Sequence, residues 1–131
     1  IISVLEEIAD HQPPMILELS KPGFFGPVSS PKVLWYGIKL NQELHNLSRN
    51  IEQKLFRLGI TKEDKEFNAH ITLGRVKNIA AQDDIKIYFN QDRLFPQEKN
   101  RIAAYHLLKS DLKPQGPIYK VIREFNFGER D

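Results

Sequence analysis

The chain has 131 residues, a formal net charge of +2, 40% hydrophobic and 27% charged residues, and no cysteine. That is one domain's worth of chain with a modest core, and the missing cysteine excludes a thiol nucleophile, disulfides and thiolate metal sites. So small a charge is not the dense basic patch of a tight nucleic-acid binder, and apolar runs such as Val33-Leu34-Trp35-Tyr36 fall far short of the ~20 residues that span a bilayer.

Ile1, Leu5 and Ile8, with Ile2 and Ala9, recur at helical spacing, while Glu6, Glu7 and Asp10 lie outside that stripe. This predicts a helix that Pro13-Pro14 ends. No capping residue precedes Ile1, so the helix reads as the tail of a longer one. Met15, Leu17 and Leu19 alternate with Ile16, Glu18 and Ser20, the pattern of a half-buried strand. Lys21-Pro22-Gly23 is expected to interrupt it before Phe24-Phe25, and Gly26 to Pro31 reads as a loop. Lys32 to Lys39 is apolar on both faces, which predicts a central strand; Trp35 and Tyr36 read as core residues rather than platforms for a base.

Asn41 has the chemistry of an N-cap. Leu44, Leu47, Ile51, Leu55 and Leu58 then form a stripe, predicting a helix from Gln42 to Leu58 with Gly59 as its stop and His45 in solvent. Thr61 to Glu66 is a charged loop. A shorter helix is expected from Asn78 to about Asn90, then a polar loop from Asp92 to Asn100. Strands over Arg101–Lys109 and Ile118–Phe127 should pair as a hairpin around Pro114-Gln115-Gly116-Pro117. His106 shares its parity with Ile102, Ala104 and Leu108 and reads as a satisfied buried histidine.

The chemistry concentrates in Phe67-Asn68-Ala69-His70-Ile71-Thr72-Leu73-Gly74-Arg75-Val76. A strand sends alternate side chains to opposite faces, so Ile71 and Leu73 are expected beneath the sheet and His70 and Thr72 together above it, about 6.6 Å apart. An imidazole that titrates near neutrality beside a hydroxyl donor suits work on a phosphate ester. Taken alone, the alternation is more simply that of a half-buried strand with an incidental histidine.

His70-Ile71-Thr72-Leu73 followed by Gly74-Arg75 resembles the second His-x-Thr-x signature of the two-histidine phosphoesterases, in the branch of RNA 2′,3′-cyclic phosphodiesterases often named 2′-5′ RNA ligases. Pro31 to Ile38 followed by an amphipathic helix stands ahead of the motif, as in that family. Leu107-Leu108-Lys109-Ser110-Asp111-Leu112 and Gly116-Pro117-Ile118-Tyr119 resemble its closing strands. The resemblance runs in order from about Met15 to Phe127. The family carries two such motifs; this sequence holds one. The expectation is therefore a single phosphoesterase-like domain, residues 1–131, that forms the larger C-terminal part of a longer chain lacking its first motif.

The resemblance implies an α+β fold, with a duplicated, bilobal plan of antiparallel sheets and helices around a central cleft. It implies metal-free hydrolysis of 2′,3′-cyclic phosphate RNA ends to 2′-phosphates, reversibly related to 2′-5′ ligation. Two histidines would move the protons and two threonines would hold the phosphate oxygens. By carry-over His70 is the general base and Thr72 the phosphate clamp, with the acid in the motif not present here. Loss of one such group costs about 10²–10⁴-fold in rate, so this chain alone should be nearly inactive.

Arg75 resembles an arginine that grips phosphate, but strict alternation puts it opposite His70 unless Gly74 bends or bulges the strand. Phe67 either lines the nucleotide pocket or staples its loop. Ser110 and Tyr119 match family positions at the substrate, with turn capping and core packing as their plainer roles. No cofactor or metal is implied: His11, His45, His70 and His106 lack ligand spacing. The implied partners are RNA ends bearing a cyclic phosphate, such as tRNA halves, in the cytoplasm and away from membranes. The alternatives are a non-catalytic RNA-end binding module, or a phosphodiesterase of this superfamily acting on 2′-5′ oligonucleotides or cyclic nucleotides.

Overall fold

The computed structural model describes residues 1–27, 30–76 and 99–128. The elements in order are α1 (Ile2–Asp10), β1 (Met15–Phe25), β2 (Val33–Ile38), α2 (Gln42–Arg57), β3 (His70–Arg75), β4 (Lys99–Ile102), β5 (Ala104–Lys113) and β6 (Gly116–Asn126). Helices and antiparallel strand pairs make this an α+β protein, as the sequence predicts. The chain divides into two compact units: Ile1–Met15, Gln42–Glu66 and Arg101–Asp131 form one, and Ile16–Asn41 with Phe67–Asn100 the other.

The first unit holds α1, α2 and the β5–β6 hairpin. The apolar spacing of α1 buries Leu5, Ile8 and Ala9. Phe125 and Phe127 of the returning chain are also buried, and the Tyr105 ring lies 5.4 Å and 5.6 Å from theirs. The Tyr105 hydroxyl donates to the Leu5 carbonyl, and Gly128 N–H donates to that of Ala9. A Cβ at Gly128 would overlap the Asp10 carbonyl, so glycine permits this close return.

The predicted stripe of α2 buries Leu47 and half-buries Leu44, Ile51 and Leu55. The helix ends in a Schellman turn. Ile60 N–H donates to Leu55 O at 3.1 Å, Gly59 N–H donates to Phe56 O at 2.9 Å, and Gly59 takes φ +93°. His45, expected in solvent, is half-buried.

The four-stranded sheet has the order β3-β2-β1-β4, and β2 pairs antiparallel with both β1 and β3. The interior place of β2 agrees with its apolar run, and Tyr36 is 5% exposed. Glu18 on β1 reaches Lys39 at 3.0 Å and Lys99 on β4 at 3.6 Å. Lys39, by hydrogen bond and charge, holds the Glu18 carboxyl below its ordinary pKa, with a smaller contribution from Lys99.

Several boundaries differ from expectation. Lys21-Pro22-Gly23 does not interrupt β1: the strand continues through a bulge between Leu19 and Pro22, a position that tolerates the missing N–H of proline. The strand expected over Arg101–Lys109 is two elements, β4 and β5, broken at Ala103, whose carbonyl accepts from Phe127 N–H at 2.8 Å. Lys99 and Asn100, expected in a loop, begin β4. The helix expected from Asn78 to about Asn90 lies outside the described residues, as does most of the loop after it.

Candidate active site

The register of β3 on β2 arranges the motif. Gly37 pairs with His70, Trp35 with Thr72 and Val33 with Arg75. Directly opposed residues of an antiparallel pair share a face. His70 and Thr72 therefore stand on the face of Trp35, His70 half-buried and Thr72 exposed. Ile71 and Leu73 are not buried as expected: they are 46% and 51% exposed. Among the described residues β3 has a strand neighbour, β2, on one side only.

Between Thr72 and Gly74 the pairing slips. Trp35 faces Thr72 and Leu34 faces Gly74, leaving Leu73 as an extra residue in a β-bulge. The bulge inverts the parity of the residues after it, and Arg75 returns to the His70 face opposite Val33. A Cβ at Gly74 would meet open space, so the bulge does not require glycine for room.

His70 Nδ1 lies 2.6 Å from the carbonyl oxygen of Asn68. A carbonyl only accepts, so Nδ1 carries the hydrogen and the neutral ring keeps its lone pair on Nε2. The ring meets Phe25 edge-on, at 5.1 Å between centroids and 88° between planes, and Trp35 at 6.2 Å. Phe25 and Trp35 are 5.4 Å apart. Trp35 is thus half-buried in a ring cluster with His70 rather than a plain core residue. A Cβ at Gly23 would overlap its indole carbons Cη2, Cζ2 and Cζ3. Trp35 Nε1 is buried with no hydrogen-bond partner among the described residues.

Phe67 precedes β3 and is 49% exposed. Ser110 and Tyr119 belong to the other unit, where they pair across the hairpin. Ser110 is exposed in mid-strand, four residues before Pro114, so it does not cap the turn. Tyr119 is 60% exposed and not packed in a core. His106 is likewise not buried: Tyr105 and Leu107 turn inward, so the even positions face out. There its Nε2 lies 3.7 Å from the Glu124 carboxylate across the hairpin. Among the described residues no group of three or more His, Asp or Glu could hold a metal ion, and no helix is long and apolar enough to cross a membrane.

The sequence reading missed Phe25 and the Asn68 carbonyl. The Phe24-Phe25 doublet was visible, but its meeting with His70 depends on two strand pairings.

Residues 38–119 match the family described as LigT-like phosphoesterase. A protein of Archaeoglobus fulgidus named RNA 2′,3′-cyclic phosphodiesterase is 37% identical over 114 residues, covering 86% of this chain and 62% of that relative. One of the same name from Thermotoga maritima is 32% identical over 130 residues, covering 94% and 67%. The chain thus spans 62–67% of the length of these two relatives. In fold it is similar to a crystal structure of a Thermus thermophilus protein, with a TM-score of 0.68 at 23% identity over 98% of this chain and 69% of that one.

Proposed function

Because the chain belongs to the LigT-like phosphoesterase family, we propose that it opens 2′,3′-cyclic phosphates at RNA ends, leaving a 2′-phosphate. The observation that carries this reading is the geometry of His70, with Nδ1 tied to the Asn68 carbonyl and Nε2 left as the basic nitrogen. Nε2 takes a proton from water as its oxygen attacks phosphorus, in line with O3′. The P–O3′ bond breaks and O3′ takes a proton from an acid. The Thr72 hydroxyl donates to a non-bridging oxygen as charge grows there, and Arg75 steadies the same dianion from the far side of the bulge. Phe67, Ser110 and Tyr119, all exposed, are assigned to substrate contact.

The acid belongs to a second His-x-Thr-x; these 131 residues contain only the one at His70. The same groups run backwards would form a 2′-5′ linkage. Two relatives carry the name RNA 2′,3′-cyclic phosphodiesterase, and tRNA halves in the cytoplasm are substrates of the proposed kind.

The test is hydrolysis of nucleoside 2′,3′-cyclic phosphates. This chain should turn them over slowly, about 10²–10⁴-fold below an enzyme with both histidines, giving only the 2′-phosphate. His70→Ala should abolish what remains. Residual turnover indifferent to His70→Ala overturns the reading. Binding without turnover in a chain carrying both motifs points instead to an RNA-end binding module. Preference for 2′-5′ oligonucleotides or other cyclic nucleotides would reassign the substrate.

A further inference from the structure

Phe25 is 38% exposed although it touches both Trp35 and His70. Its position is fixed from several sides. Trp35 is seated on the bare backbone of Gly23, where a Cβ would overlap the indole. Lys32 N–H donates to the Phe25 carbonyl at 2.9 Å, closing the β1–β2 connection beside it. The result is a braced aromatic side chain, open to solvent and 5.1 Å from the imidazole centroid. The ring carries neither hydroxyl nor charge to account for its exposure.

We propose that Phe25, braced by Trp35, is the platform on which the base of the terminal nucleotide stacks. The site would then take a nucleoside 2′,3′-cyclic phosphate in preference to a bare sugar phosphate. This rests on the assignment of His70 to phosphoester chemistry. The base and the cyclic phosphate of one nucleoside are separated by a single ribose, which matches two ligand parts held by adjacent rings. Stacking on an aromatic face accepts every base, because each has a π-face. Such a platform selects for the presence of a base without reading its identity by hydrogen bonds, with purines favoured by their larger area. Phe25 on this view is a specificity-determining residue, not one that moves a proton.

The experiment uses the fact that Trp35 is the sole tryptophan of the chain. Adenosine 2′-monophosphate, ribose 2-phosphate and inorganic phosphate are titrated into the protein. Trp35 emission and the His70 ring resonances are followed together. The nucleotide should perturb both signals, and the two ligands without a base should move His70 alone. Phe25→Ala should weaken the nucleotide roughly 5- to 150-fold and leave inorganic phosphate unchanged, while Phe25→Tyr should keep nucleotide affinity. Equal binding of nucleotide and ribose phosphate, or equal weakening of all ligands by Phe25→Ala, overturns the platform and leaves Phe25 as packing for His70. A His70 response without any change at Trp35 sinks the platform alone. No His70 response to any ligand sinks the phosphoester reading and the platform with it.

Discussion

His70 Nδ1 sits 2.6 Å from the backbone oxygen of Asn68, two residues earlier in the chain. Substitution at Asn68 cannot remove a backbone acceptor, so the tautomer is set by chain path rather than by a neighbouring side chain. Nitrogen-15 spectra of the neutral form should show hydrogen on Nδ1 and none on Nε2. Hydrogen on Nε2 would leave no lone pair facing the proposed water, and the base assignment would be lost.

Arg75 gains the His70 face only through the extra residue at Leu73. Hydrogen bonds to charged groups contribute about 1.5–3 kcal/mol. Arg75→Ala should therefore weaken inorganic phosphate by roughly ten- to a hundredfold, with Arg75→Lys intermediate because it loses the planar fork. Deleting Leu73 should remove the bulge yet keep Gly74 opposite Leu34 and Arg75 opposite Val33, so phosphate affinity should survive it in a folded protein. Unchanged phosphate affinity in Arg75→Ala would show that Arg75 is a solvated strand-end residue.

Gly23 is occupied from above by the Trp35 indole, leaving no room for a methyl group. Gly23→Ala should cost about 1–3 kcal/mol by overpacking, read as a lower urea midpoint, and should alter the near-ultraviolet circular dichroism of Trp35. Gly74→Ala, with open space at its Cβ, should be far milder. Equal effects at the two glycines would contradict this packing.

Tyr105 donates its hydroxyl to the Leu5 carbonyl. Burial, helped by the charge of Asp10, pushes its pKa from 10.0 up to about 12. An unfolded tyrosine ionises near pH 10, while the folded one keeps its proton until about 12. The stability that comes from burying the un-ionised phenol beside Asp10 is complete below pH 10 and is lost as pH rises towards 12. Tyr105→Phe should destabilise by about 0.5–1.5 kcal/mol near neutrality, the net contribution of one such hydrogen bond, and should flatten the alkaline loss. Denaturation curves at several pH values on both proteins check this. Parallel alkaline losses would assign the effect to other groups.

What the sequence revealed was chiefly what repeats locally. The α1 and α2 stripes, the Gly59 stop and the central place of β2 follow from spacings within one element. The bulge at Leu73 does not, because a bulge is a relation between two strands and only the partner's register exposes it. The same holds for Phe25 and His70, which lie 45 positions apart in the sequence and meet through two strand pairings. His106 was misplaced because parity tells which residues share a face but not which face turns inward; the hydroxyl of Tyr105 on Leu5 decides that. Ser110 and Tyr119 were singled out by resemblance alone, and their exposure depends on how far the hairpin runs beyond its packed base.

That hairpin has a physical cost of its own. Beyond Leu107 it is a two-stranded ribbon with Leu112 81% exposed, Ile118 57% and Val121 54%. Among the described residues, neither outer edge of the ribbon is covered by a further strand. Apolar side chains and open backbone edges side by side are a template for strand addition between molecules. A net charge of only +2 offers little mutual repulsion against it. Concentrated solutions of this chain should therefore gel or precipitate through ribbon-to-ribbon stacking well before the sheet that carries His70 unravels.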